Sequence, residues 1–505
     1  MRINVASPFG ITLALLPEVA LTAFALLALL VVAWRHQTKE DSRLAGWVSL
    51  AGLLVASAAL AWLWQAHTRS VGPARMIALD DFRYAAGAII LLAAIGTVLL
   101  SLAYLEREQL LAPEYYVLVL FATTGMLLLA GADDMMVLFL GLEVMSVAVY
   151  VLAGYDRRNV FSAEAALKYF LIGAFASAFL LYGIALVYGA TGTTSLSVAG
   201  YLLARGPLPL MGALGLGFLL IGFGFKVAAA PFHMWTPDVY EGAPTPVTGL
   251  MATGVKVAAF AALARVLTIS FGTATATWVP IVTGLAVLSM VVGNLIALNQ
   301  ASLKRMLAYS SIAHAGYLLA ALLPATPFGA TATLMYLFAY AMTSLAAFGL
   351  LAVLGRDGER DVTLDSIAGL AQRKPWVGAG LAVCMLSLLG FPGTLGFIGK
   401  WLILIALLGQ GHYLVAVVLV VATLVSAGYY LPVIMATYMR PAATEESHRG
   451  IVLARTAAWT IAVAVVAVVI LGVWPTPALD TAQESAASLF EPRPVDLRHV
   501  IPPAR

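Results

Sequence analysis

Long apolar runs alternate with short polar connections along nearly the whole chain. A membrane-crossing helix needs about 20 mainly apolar residues. Stretches meeting that need lie near 12–34, 44–66, 84–105, 115–132, 134–154, 164–190, 209–238, 244–270, 278–298, 307–323, 329–354, 377–409, 413–438 and 454–474. They are numbered here as spans 1 to 14. No connection between them is long enough for a soluble domain. The longest polar stretch, 355–375, has an apolar spacing that suits a short helix lying on the surface. The first apolar run continues to Trp34 with no small-residue cleavage site, so it reads as a transmembrane helix rather than a leader. The pattern predicts an all-α polytopic membrane protein.

Two spans carry breakers. Span 7 contains Pro231, and span 12 contains GFPGTLGFIGK with Gly390, Pro392, Gly393 and Gly396. Proline removes a backbone donor and clashes with the preceding turn, so each helix should be discontinuous. Such backbone survives at membrane depth only when buried in protein or facing water. At an offset of 167 residues, Tyr150, Leu152, Ala153, Tyr169, Ala174 and Ser177 fall on Tyr317, Leu319, Ala320, Tyr336, Ala341 and Ser344. With the paired breaks, this supports two five-helix repeats, spans 4–8 (115–270) and spans 9–13 (278–438). Helices 1–3 (12–105) precede them and a C-terminal helix (454–474) follows, in one transmembrane domain. Five is odd, so the second repeat is inverted relative to the first, as in many ion-coupled carriers.

Composition agrees. The chain is 62% hydrophobic and 10% charged, against about 25% charged in soluble domains. The net charge of +3 comes with no basic stretch suited to nucleic acid. The lone Cys384 excludes a disulfide framework, and no spacing suggests a metal site. Loops after odd-numbered spans hold 15 of the 28 basic residues, among them Arg107, Arg157, Arg158, Lys304 and Arg305. The positive-inside rule then puts those loops in the cytoplasm and both termini outside.

Charge inside the apolar runs changes the picture most. Lys168, Lys226, Lys256, Lys400 and Glu143 all lie within expected spans. At roughly 2.5–3.5 kcal/mol for one charge at a helix centre, five represent on the order of 10 kcal/mol of insertion cost. A passive anchor would not carry them. They point to movement of charge, and Lys226 and Lys400 each sit beside a break.

The strings EAALKYFLIGAFASAFLLYGIALVYGATGTT (164–194), FKVAAAPFHMWTPDVYEGAPTPVTGLM (225–251), LKRMLAYSSIAHAGYLL (303–319) and GFPGTLGFIGKWLI (390–403) closely resemble the subunit N family of NADH-quinone oxidoreductase, respiratory complex I. The resemblance runs from about 12 to 474. PFHMW and SSIAHAGY also occur in the other antiporter-like subunits and in Mrp-type cation/proton antiporters, whereas LKYF-IGAFASA and PDVYEGAPTPVT are more specific to N. Lys400 fits N or L, and M usually carries Glu there; the long lateral helix of L is absent. Gly393 departs from a second proline found in many relatives. The resemblance implies a proton-translocating subunit driven by quinone reduction elsewhere, with Glu143, Lys168, Lys226, Lys256 and Lys400 matching the family's intramembrane charges. It also implies a bacterial inner (plasma) membrane location and neighbours such as antiporter-like subunit M and small subunit K. NADH, FMN, iron–sulfur clusters and quinone would belong to the complex, none bound by this chain.

Burial disfavours a charged amine and a nearby carboxylate restores it, so Glu143 would control the proton on Lys226. His233 and His314 titrate near neutrality as free side chains and could pass protons, completing a path through Lys226, Lys256, His314 and Lys400. Lys168 is either a second partner for Glu143 or an anchor at the cytoplasmic rim, and His233 could equally cap its break. Glu18 reads as an interface residue, and Asp133 and Asp134 as solvated. Three classes follow: a complex I proton-pumping subunit, an autonomous cation/proton antiporter, or a passive scaffold.

Overall fold

The computed structural model describes residues 2–4, 7–35, 39–71, 76–110, 113–355, 362–441 and 453–493. Within them all fourteen spans are helical. Spans 1 to 6 are Leu16–Arg35, Lys39–Gln65, Asp81–Arg107, Glu114–Gly131, Met135–Ala153 and Val160–Thr191. Span 7 is split into Leu210–Lys226 and Thr236–Gly242, and span 12 into Pro375–Leu389 and Leu395–Gly409. Span 8 runs unbroken over Thr245–Ser270. Spans 9 to 11 are Thr275–Ala297, Leu303–Leu322 and Pro327–Leu354; spans 13 and 14 are Tyr413–Met439 and Arg455–Val473.

Both expected breaks are present, and proline alone does not explain them. Pro280 and Pro432 sit inside spans 9 and 13, whose helices run on through them. The broken spans add left-handed backbone: Ala228 at φ 60° in span 7, Gly390 and Gly393 at φ 86° and 85° in span 12. A residue in that region ends the right-handed helix, and proline then keeps it from resuming.

Three features were not expected. A parallel ladder pairs β1 (Arg2–Asn4) with β2 (Arg69–Val71), a small exception to the all-α reading. Short helices Leu196–Leu203 and Thr476–Ala487 lie between and after the spans. In the polar stretch 355–375, the helical residues among those described are Leu370–Arg373 and Pro375, where span 12 starts, and 356–361 lie outside them. Here Ile367 and Leu370 are buried, and the Gly369 amide donates to the Ala436 carbonyl, so the segment is tucked against span 13.

The two sets of five helices share a neighbour pattern. Span 4 packs on 5, span 6 on 7, and span 8 returns to 4; correspondingly span 9 packs on 10, span 11 on 12, and span 13 returns to 9. Spans 8 and 11 form the centre. The most apolar 18-residue window is 100% buried in span 8 and 89% in span 11, but only 33% in spans 1, 6, 9 and 14. Lipid is as apolar as leucine, so hydrophobicity alone does not sort helices into inner and outer positions. Polar groups on the central helices find their partners inside the bundle: Lys256 and Arg265 on span 8, Tyr336 and Thr343 on span 11.

Candidate functional site

Lys226 is the last residue of the first half of span 7 and is buried. Its amine lies 5.4 Å from the ring centres of Tyr150 and Tyr169 and 5.9 Å from that of Phe225. Aromatic faces attract a cation by their quadrupoles. Lys226 Nζ has no hydrogen-bond partner among the described residues. Glu143, two turns before Tyr150 on span 5, is an electrostatic neighbour of Lys226, yet the two form no ion pair within 4 Å. Glu143 is half-buried and stands in a strip of exposed apolar residues, Leu140, Val144, Val147 and Val151. The backbone freed by the break is tied down locally: the Ala230 amide donates to Ser289 Oγ at 2.8 Å, and Trp235 Nε1 donates to the Phe225 carbonyl at 3.1 Å.

Lys256 follows a π-helical stretch, Met251–Val255, in the middle of span 8. π-turns inside α-helices are frequent at functional sites. Its amine donates to the Ser311 carbonyl of span 10 and lies 5.2 Å from the Tyr340 ring centre. Tyr340 in turn lies 4.9 Å from the His314 ring. His314 is buried between two tyrosines, with Nδ1 2.7 Å from Tyr336 Oη and Nε2 3.1 Å from Tyr430 Oη.

Lys400, on the second half of span 12, reaches back across the break. Its amine donates to the carbonyls of Leu388 and Leu389 at 3.0 Å each and lies 4.7 Å from the Tyr317 ring centre. Those carbonyls end the first half-helix, where unpaired C=O groups and the helix dipole favour a cation. Gly390 makes room: a Cβ there would stand 2.9 Å from Lys400 Cδ. The contacts thus join Lys256 of span 8 to Tyr340, His314, Tyr317 and Lys400 of spans 10 to 12 in one buried file. His233 is half-buried beside exposed Met234 and enters none of these contacts.

Lys168 lies elsewhere. Its amine pairs with Glu164 at 2.6 Å and Asp238 at 2.7 Å, with 39% of its side chain exposed. Arg305 extends the cluster to Asp238 at 2.9 Å and Glu241 at 2.8 Å. Its carboxylate partners are thus Glu164 and Asp238, and not Glu143.

A second group of buried charges was missed from sequence. Asp80, at the head of span 3, accepts two bonds from Arg265 at 2.5 and 2.8 Å and one from Arg493 at 3.0 Å. Arg493 also holds Asp133 at 2.7 Å, while Arg83 donates to Glu18 at 2.7 Å. Burial would raise the Asp80 carboxyl, but the guanidinium of Arg265, then that of Arg493, holds it well below the usual carboxylate range. Asp133 and Asp134 are therefore buried rather than solvated, and Glu18 is an internal ion-pair partner. Arg265 gave a signal, being a cation within span 8 of the same kind as Lys256; Arg83, at the edge of span 3, gave none.

Residues 132–426 match the family described as NADH:quinone oxidoreductase/Mrp antiporter, TM. NADH-quinone oxidoreductase subunit N of Gemmatimonas aurantiaca is 42% identical over 94% of this chain and 93% of its own length. Its counterpart in Trichlorobacter lovleyi is 42% identical over 96% and 99%. A chain of respiratory complex I from Thermus thermophilus superposes with a TM-score of 0.77 at 38% identity, covering 93% of this chain and all of that one. A chain of the Mrp complex from Dietzia shares the fold, with a TM-score of 0.81 at 23% identity over 95% of this chain and 98% of its own.

Proposed function

Because the chain belongs to the NADH:quinone oxidoreductase/Mrp antiporter family, we propose that it is the proton-translocating, antiporter-like subunit N of an NADH-quinone oxidoreductase. The observation that carries the reading is the set of buried amines at two helix breaks and between them, with His314 in the same file. Each is held by neutral groups, aromatic faces or carbonyls, rather than locked to a carboxylate. An amine so placed can lose and regain a proton without breaking a salt bridge.

In this reading Glu143 sets the charge on Lys226, and Lys256, His314 and Lys400 relay protons along the membrane's middle. Lys168, with Glu164, Asp238 and Arg305, forms a charged rim on the cytoplasmic side. The opposing membrane potential costs about 2.3 kcal/mol per charge per 100 mV. A change of two or three pKa units, at roughly 1.36 kcal/mol each, is enough to work against it. The chain crosses the bacterial inner membrane with both termini outward. The exposed apolar strip around Glu143 suits a membrane neighbour, and we assign small subunit K and antiporter-like subunit M as adjoining partners. Quinone reduction, with FMN and iron–sulfur clusters, takes place in other subunits.

Isolation from the native membrane tests this. A stoichiometric complex with other hydrophobic subunits and NADH-quinone reductase activity is expected; a lone chain that exchanges sodium or potassium for protons in liposomes would replace this reading with the antiporter one.

A further inference from the structure

Four buried groups in the second repeat form one continuous line of hydrogen bonds. Ser310 Oγ meets Tyr430 Oη, Tyr430 Oη meets His314 Nε2 at 3.1 Å, and His314 Nδ1 meets Tyr336 Oη at 2.7 Å. Every member is at most 2% exposed. The line has a place between two lysines. Ser310 adjoins Ser311, whose carbonyl holds the Lys256 amine. Tyr336 lies against Gly399, the residue before Lys400, so closely that a Cβ on Gly399 would stand 2.5 Å from its ring.

A hydroxyl both donates and accepts, and a neutral imidazole has one nitrogen of each kind. The line can therefore be fully hydrogen-bonded in two opposite directions. In one, Ser310 donates to Tyr430, Tyr430 to Nε2, and Nδ1–H to Tyr336. In the other, every bond is reversed and the histidine is the other tautomer. From this geometry we infer that Ser310, Tyr430, His314 and Tyr336 are a proton wire, with the two tyrosines and the serine as relay residues beside the histidine. The inference rests on the proton-translocation reading above.

One transfer balances as follows. A proton arrives on Ser310 Oγ, whose own proton moves to Tyr430 Oη. The Tyr430 proton passes to His314 Nε2, and the Nδ1 proton passes to Tyr336 Oη. The former Tyr336 proton leaves from the Tyr336 hydroxyl, at the end of the line opposite Ser310. One proton has entered and one has left, no group ends charged, and His314 has changed tautomer. Rotation of the hydroxyls and return of the imidazole to its first tautomer reset the wire. Holding these donors and acceptors in place beforehand avoids solvating an imidazolium in the bilayer's interior.

Tyr336→Phe and Tyr430→Phe each remove a single oxygen and leave the ring packing. In the assembled complex, in inverted native membrane vesicles, proton uptake per NADH oxidised and its ratio in H2O and D2O are the readouts. Both variants should assemble in normal amount, take up fewer protons per NADH and change the isotope ratio, which a packing defect alone would leave unaltered. Uptake and isotope ratio at the unmodified level in both would overturn the wire. Lys400→Met run in parallel separates the two ideas: loss there with normal tyrosine variants rejects only the wire, while normal uptake in all three rejects translocation itself. Should a phenylalanine variant fail to assemble, Ser310→Ala deletes one hydroxyl at the wire's end and carries the same test.

Discussion

Spans 7 and 12 are both broken, but the lysine stands before the break in one and after it in the other. Lys226 closes the first half of span 7, and nine residues pass before the helix resumes at Thr236. Lys400 begins on the second half of span 12 and folds back over a shorter gap, Gly390 to Thr394. The Lys400 amine arrives at the carbonyl-rich end of the first half-helix, where partial negative charge of about half an electron gathers. The approach differs, and so does the hold. Lys400 has two carbonyl acceptors, whereas Lys226 has aromatic faces and a carboxylate too distant to pair with it. One amine is fixed by its own span. The other has Glu143 as a carboxylate neighbour it does not touch, on a half-buried surface that a neighbour can cover. The first repeat is thus the adjustable one.

The largest effects should come from removing the amines. Lys226→Met and Lys400→Met are each expected to abolish most proton uptake per NADH in membrane vesicles, with normal assembly. If either is dispensable, the two breaks are not equivalent parts of one path. Glu143→Ala sharpens the contrast, because it should reproduce most of the Lys226→Met defect without displacing Lys400. Normal pumping at normal protein level would remove Glu143 from control.

Asp80→Asn is a control outside both breaks. Removing one partner of a buried ionic network costs about 3–5 kcal/mol, so thermal unfolding of the complex should begin earlier while pumping by the surviving folded fraction stays coupled. The acid dependence has a definite sign. Asp80 is held below the ordinary carboxylate range, so its contribution is whole above about pH 4, the free-carboxyl value. It is lost only as pH falls through the depressed folded-state value. Stability that declined already between pH 7 and 5 because of Asp80 would contradict the clasp.

The smallest effects concern the breaks' backbone. Gly390→Ala places a side chain at φ 86° and against Lys400 Cδ, and should cost about 1–2 kcal/mol from the backbone alone. Ala228→Gly works the other way, relieving φ 60° in span 7, and should leave stability unchanged or raise it by up to about 1 kcal/mol. Equal responses in thermal unfolding would show that the two breaks are not held differently.

Span positions were legible because about 20 apolar residues are needed to cross the bilayer and few other roles demand that length. The breaks were legible because proline and glycine have local consequences. Partners were not, since they lie far apart in sequence: Lys168 finds Asp238, Arg493 finds Asp80 and Asp133, and Arg265 finds Asp80. The tyrosines around His314 were hidden for another reason. Tyr317, Tyr336, Tyr340 and Tyr430 look like ordinary members of apolar spans until the helices are packed, when two hydroxyls bond His314 and two rings lie beside it. The π-turn before Lys256 also left no mark, because its backbone angles stay in the helical region and its residues, MATGV, are unremarkable in a span.

The clasp around Asp80 also has a consequence for synthesis. Chains grow from the N-terminus, so Glu18 and Arg83 can meet once span 3 is made. Asp80 acquires Arg265 only after span 8, and Asp133 acquires Arg493 only after span 14 and the helix that follows it have been made. Until then a buried-to-be carboxylate lacks its counterion. The end of the bundle that holds Asp80 therefore closes last, and truncation after span 14 would leave a fully threaded chain that cannot lock.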